Sequence, residues 1–551
     1  MQKHYIKGQR LLSYGEAVEL SESKVPKGAG FIRFGDVLFP ASAKYNGFFI
    51  QGQMKSGKSA TISLLMEQAF RGMQNTPVRG VVYDPKNKAT NVLCALGVPF
   101  ERLRIMNPMD KRCYGWDIQK DVTNQLIARG LSRVFIKDRG DSDRFWTEAP
   151  RGLMSSVMVS FILSKLERED ANKKLRRGET PLKAFEWTLL DVANALSDID
   201  HLREVLNKHE DTKPAIRFLD KDKEDGDIIA SLEADFAPLR FFASRWADRP
   251  LISFSDWKND KEGKVLVFGS EREASEIDDL NRMMIQRITQ IVTRELKPPS
   301  TEEKQDIWFF FDEFSKLGRI PDFNDFSTLV REYGGCVVIS VQNIEQMKAD
   351  DCYGEHLAQV IVDDLGTKIF LSCEGKAAQF ASDTIGTFEE FSEGDSEQVS
   401  SGQGFSIGTS RQKRVANVVL PSEFYQLPAL DERGVMKGFC MSAALERYAW
   451  EFTLTKEHGL QNIWNRKSKV TEYEREEDPR AFRFKTWTPE QKAELGITGE
   501  KEEKSKKSPN GDLMSDVLAR MRAGKPLSVE EMEEALQEEE KNSPGGSKQR
   551  R

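Results

Sequence analysis

The stretch Phe48-Phe49-Ile50-Gln51-Gly52-Gln53-Met54-Lys55-Ser56-Gly57-Lys58-Ser59 constrains the fold more than any other part of the chain. An apolar strand runs into a glycine loop, and a helix with apolar spacing follows through Ala60-Thr61-Ile62-Ser63-Leu64-Leu65-Met66. This is the frame of a P-loop. Gly52 and Gly57 permit the tight turns that point successive backbone N–H groups at the β- and γ-phosphates of a nucleotide lying at the helix N-terminus. Gln53, Met54, Lys55, Ser56 and Ala60 complete the phosphate-facing set. Lys58 is placed to pair with the phosphates, and the Ser59 hydroxyl to ligate a phosphate-bound Mg²⁺.

A second stretch answers the first. Asp306-Ile307-Trp308-Phe309-Phe310-Phe311-Asp312-Glu313-Phe314 is an apolar strand ending in adjacent acids, the Walker B pattern. In that pattern Asp312 holds Mg²⁺, while Glu313 orients or deprotonates the water that attacks the γ-phosphate. Val78–Lys86 reads as a further buried strand ending in Asp84-Pro85, with Asp84 and Lys86 either facing the nucleotide or forming a capped turn. Beyond the acids, a helix closed by Gly334-Gly335 leads into strand Cys336–Val341. Gln342 at its end is either a γ-phosphate sensor or a strand-capping amide. Arg331 is either an arginine finger for a neighbouring subunit or half of a surface ion pair.

Between the two motifs the pattern changes. Residues 122–248 carry long helical periodicities (Asn124–Ile136, Phe145–Leu166, Thr188–Leu206, Asp227–Trp246) and little strand signal, and strand-type sequence resumes at Lys264–Gly269. The expected organisation is an N-terminal β-edge segment over 1–47, an α/β nucleotide-binding domain from 48–121 and 249–455, an inserted all-α domain over 122–248, and a charged tail over 456–551. The tail includes a solvated linker at Gly499–Ser508. Two short amphipathic helices follow, one with Leu513, Met514, Val517, Leu518 and Met521, the other opened by a Ser528–Glu531 capping box. Helices that short order only on a partner.

Composition narrows the class. A formal charge of −7 over 551 residues gives no whole-molecule attraction to polyanions, so any nucleic-acid site must be a local basic lining. Six cysteines without a CxxC pair exclude a zinc ribbon and indicate a reducing compartment. No apolar run reaches the length of a transmembrane span, and the first residues lack a signal-peptide core.

The P-loop, Asp84-Pro85, Asn107-Pro108 with Trp116-Asp117, Phe145-Trp146, Phe311-Asp312-Glu313, Arg331 before Tyr333-Gly334-Gly335, and Gln342 recur in one order. In that order the chain resembles the coupling-protein ATPases of conjugative type IV secretion, chiefly their TraD branch, within the RecA-like DNA translocases that include FtsK and HerA. The resemblance spans roughly residues 9–455. It implies a RecA-like domain with a mostly parallel central sheet, an inserted all-α domain and a flexible charged tail. It also implies ATP and Mg²⁺ as cofactors, Lys58 and Ser59 as their ligands, Asp312 and Glu313 as the Walker B pair, Arg331 as a trans finger and Gln342 as a sensor. The implied partners are DNA bound without sequence preference, a relaxase with its relaxosome accessory proteins, the inner-membrane components of the secretion system, and further copies of the chain in a hexamer.

Two departures from the family pattern stand out. Lys55 occupies a position where the family usually has glycine, and the transmembrane helices with which members normally begin are not in this sequence. The expectation is therefore a chain that is cytoplasmic as given, and peripheral to the bacterial inner membrane through partners or through an anchor outside this sequence. Three functions are on the table: a translocase feeding DNA into a conjugation channel, a segregation or packaging motor of the FtsK/HerA type, and a nucleotide-gated recruitment platform that does not pump.

Overall fold

A computed structural model of the chain describes residues 4–497, apart from Gln74 and residues 140–143, 177–178, 220–224, 295–298, 301–305, 400–404, 431–433, 459 and 461–467. The tail linker and both amphipathic segments beyond residue 497 lie outside the described residues. No helix among the described residues is long and apolar enough to cross a membrane.

The chain is organised on a ten-stranded sheet. In chain order its strands are β1 (Leu11–Leu12), β2 (Phe48–Gln51), β3 (Val78–Asp84), β4 (Leu103–Ile105), β5 (Val265–Gly269), β6 (Asp306–Phe311), β7 (Gly335–Val341), β8 (Thr367–Phe370), β9 (Met436–Ser442) and β10 (Ala449–Leu454). They lie in the order β1-β10-β9-β8-β2-β7-β6-β3-β5-β4. From β8 to β4 every neighbour is parallel, and β9 pairs antiparallel on both sides. A parallel sheet covered on both faces needs apolar side chains on both faces of each strand, which is why β2 and β6 carry the continuous apolar runs Phe48–Ile50 and Ile307–Phe311 rather than alternations. In β6, Trp308 and Phe310 enter one core while Ile307, Phe309 and Phe311 enter the other. Helix Lys58–Phe70 packs its Ile62, Leu65 and Phe70 into the first core; helix Ile277–Val292 covers the second.

The N-terminal segment contributes edge strand β1, a helix at Tyr14–Lys24 opened by a Ser13/Glu16 capping box, and the antiparallel pair Phe31–Phe34 and Val37–Pro40. Helices Gln125–Phe135, Arg144–Lys173, Leu189–Leu196, Ile199–Asn207 and Asp225–Trp246 fall between β4 and β5. The periodicity at Thr188–Leu206 resolves into two helices, because Asp198 caps a new one by accepting from the His201 amide at 2.9 Å. Both chain crossings into this region meet at Asp121. Its buried carboxylate accepts from the Trp116 indole at 2.8 Å, the Ser253 hydroxyl at 2.9 Å, and the Phe254 and Ser255 amides at 2.7 and 3.0 Å.

Two features extend the pattern read from the sequence. Strands Thr387–Val399 and Phe405–Asn417 form a long antiparallel ribbon joined by His4–Gly8. Residues 468–497, within the stretch assigned above to the tail, pack as a strap across the body. Glu476 donates its amide to Met109, the Tyr473 hydroxyl reaches Glu271 at 2.8 Å, and Phe482 stacks on Phe241. Farther along, the Trp487 indole donates to Asp191 at 2.6 Å, and Leu495 and Ile497 are buried. The strap ties the sheet edge to the helical region.

Candidate functional site

The register of the sheet assembles the site. Gln51 is paired with Val341, Phe311 with Ile339 and Tyr83, and Gly269 with Asp84, so the carboxyl ends of β2, β7, β6, β3 and β5 share one edge. That is where parallel sheets bind ligands. β7 separates the P-loop strand from the acid-bearing strand. A cavity of about 430 Å³ opens at this edge, lined by Gln53, Met54, Lys55, Gly57, Lys58, Ser59, Ala60, Ser63, Lys86, Glu313, Gln342 and Leu430.

The loop needs its glycines for shape. A Cβ on Gly52 would lie 2.4 Å from Ser56 Oγ and 2.8 Å from Leu371 Cβ; Gly57, at φ +111°, would meet Met436 Sδ at 2.4 Å. Lys58 is buried and donates to the carbonyls of Gly52 at 2.5 Å and Gln53 at 3.1 Å. Burial pushes its ammonium down to about 8, against the opposing pull of Asp312. The Ser56 hydroxyl is buried and has no hydrogen-bond partner among the described residues. Lys55 sits at φ +64°, a left-handed conformation costing a non-glycine residue about 1 kcal/mol. This accounts physically for the glycine that the resembling family carries there.

Asp312 is buried and accepts from Ser340 Oγ at 2.5 Å. Glu313, at φ +51°, projects its side chain into the cavity, and its amide donates to Ser340 Oγ at 3.3 Å. Lys86 bridges the acids, 3.3 Å from Asp312 Oδ2 and 3.0 Å from Glu313 Oε1. The two readings of the Asp84–Lys86 turn are thus divided between its residues. Asp84 makes the capped turn, accepting from the amides of Lys86, Lys88 and Ala89 at 2.9, 2.6 and 2.7 Å, and burial raises its pKa. Lys86 faces the cavity.

Ser340 is the residue the motif reading did not place in the site. A lone hydroxyl inside the apolar run Cys336–Val341 was the available signal for Ser340. Gln342 is exposed and lines the cavity. Arg331 does not line it: it is exposed, in a 3-10 turn ahead of β7, with no ion-pair partner among the described residues. The seven residues of β7 put about 20 Å between that turn and the cavity edge.

Ser59 and Asp312 share a recess of about 90 Å³ beside the main cavity. No cluster of three or more His, Cys, Asp or Glu side chains suited to a metal occurs among the described residues. A hydroxyl and one carboxylate suit Mg²⁺, which keeps waters and takes phosphate oxygens rather than a full protein cage.

The fold and this edge define a RecA-like P-loop architecture with a helical insertion. The family model for the type IV secretion-system coupling protein DNA-binding domain matches residues 31–441, and the chain belongs to that family. The coupling protein TraD of Escherichia coli K12 is 25% identical over 415 residues, which cover 72% of this chain and 52% of TraD. The chain thus spans about half the length of that relative. VirD4 of Rhizobium rhizogenes is 23% identical over 152 residues, 26% of this chain and 22% of VirD4. Among solved structures, the unbound conjugative coupling protein TrwBdeltaN70 has a TM-score of 0.62 at 17% identity, covering 86% of this chain and 96% of its own. TrwB in complex with ADP and Mg²⁺ has a TM-score of 0.61 at 18% identity, covering 86% and 98%. At these identities the structural likeness is one of fold.

Proposed function

We propose that this chain is a Mg²⁺-dependent ATPase that drives DNA, with an attached relaxase, toward a type IV secretion channel. One observation carries the reading: a single cavity gathers the P-loop lysine Lys58, the acid Glu313 and the amide Gln342, with Asp312 and Ser59 in the adjoining recess. Lys58 and the loop amides from Gly52 to Ala60 bind the phosphates, and Ser59 and Asp312 hold Mg²⁺. Glu313 orients or deprotonates the attacking water, and Gln342 senses the γ-phosphate from the end of β7. That TrwB is known in complex with ADP and Mg²⁺ and with a non-hydrolysable ATP analogue supports nucleotide binding in this chain. Residues 48–121 and 249–455 serve as the motor, 122–248 as its helical insertion, and the segments beyond residue 497 as the recruiter of relaxosome proteins. Membrane association comes through partners or through an anchor outside this sequence.

The driving of DNA is tested by turnover. ATPase activity is expected to rise severalfold with DNA of any sequence, and this stimulation should collapse between about 50 and 200 mM salt, because phosphate-only grip releases counterions on binding. A rate indifferent to DNA at low salt would leave a recruitment platform as the better account.

Arg331 acts across a subunit interface in this reading, since it stands at the sheet edge remote from its own cavity. Mixing Arg331→Ala chains with Glu313→Gln chains should then restore ATPase activity, because each copy completes the other's site. Verified mixed oligomers that stay inactive at every ratio would exclude the trans role.

A further inference from the structure

The acid pair is held asymmetrically. Asp312 has two partners, the Ser340 hydroxyl at 2.5 Å and Lys86 at 3.3 Å, whereas Lys86 is the one ion-pair partner of the Glu313 carboxylate among the described residues. Removing the Lys86 ammonium therefore frees Glu313 and leaves Asp312 anchored. The turn that carries Lys86 is rigid. Asp84 binds three consecutive-turn amides, and Asn87, at φ +57°, is pinned by its side-chain bond to the Ser270 carbonyl at 2.7 Å. The Lys86 side chain itself is 43% exposed and lines the same cavity as Lys58 and Ser59. A fixed backbone with a movable cation suits an exchange of partners.

We propose that Lys86 is a positioning residue that exchanges the Glu313 carboxylate for the terminal phosphate of a bound nucleoside triphosphate, so that Glu313 is released to act on water only when that phosphate is present. This rests on the nucleotide-binding reading given above. Lys86 thereby restrains the acid in the nucleotide-free protein and contributes selectively to triphosphate affinity. A cation that merely supported the fold would contribute equally to tri- and diphosphate binding.

The test is calorimetric titration of the intact chain with ATPγS and with ADP, both with Mg²⁺. In Lys86→Met, ATPγS affinity should fall at least about tenfold, the effect of losing one charge-assisted contact, while ADP affinity changes less than about threefold. Lys86→Arg should restore the parent ratio of the two affinities. Should Lys86→Met fail to fold, Glu313→Gln carries the test: with the competing carboxylate gone, ATPγS should bind several-fold more tightly relative to ADP. Equal loss of both ligands in Lys86→Met, or an unchanged ratio in Glu313→Gln, overturns the proposal while leaving nucleotide binding intact. A parent chain that binds neither nucleotide overturns the nucleotide reading on which the proposal rests.

Discussion

Glu313→Gln is expected to bind ATP and to lose at least about 100-fold in turnover, the range typical of removing a general base. The amide keeps the size and the hydrogen-bonding reach of the acid but cannot take a proton. The fold should survive, because the Glu313 side chain is partly exposed and, among the described residues, is held only by Lys86, while the strand beneath it is fixed by Phe309 and Phe311 in the core. Lys58→Ala should instead abolish nucleotide binding. It removes the phosphate partner together with the bonds from Lys58 to the Gly52 and Gln53 carbonyls that tie the loop to itself. Thermal melts of both variants against the parent separate lost chemistry from lost folding. Glu313→Gln protein turning over at the parent rate would remove Glu313 from its assigned role.

Legibility followed the range of the signal. The phosphate loop and the acid strand are local patterns, each complete within about ten residues, and the helical insertion announced itself as a change of period over more than a hundred. What was hidden depends on which strands are neighbours. Nothing near Ser340 in the chain indicates that β7 lies against β6 and brings its hydroxyl to Asp312. Lys86 meets Glu313 only because β3 flanks β6 on the other side. The ribbon carries no strand signal because its first strand, Thr387–Val399, mixes Gly394 with acids and serines and offers no clean alternation of apolar residues. The strap at 468–497 reads as charged tail because its anchors Tyr473, Phe482, Trp487 and Leu495 are single and far apart. Several of its charges are matched from distant sequence, as when Arg245 meets Glu476 at 3.2 Å. Tertiary pairing of that kind leaves no period to detect.

Movement along DNA is the central claim and is the step that distinguishes a motor from a gated platform. A motor that grips phosphates must exert force on whatever blocks the strand, so streptavidin bound to a biotinylated DNA end should be displaced during ATP hydrolysis. The decisive measurement is that displacement, followed on single- and double-stranded DNA at low salt with the intact chain. Release is expected with ATP and Mg²⁺ on at least one of the two substrates, and none with ADP, with a non-hydrolysable analogue, or with Glu313→Gln. DNA-stimulated ATP hydrolysis without streptavidin release from either end of either substrate would contradict movement along DNA.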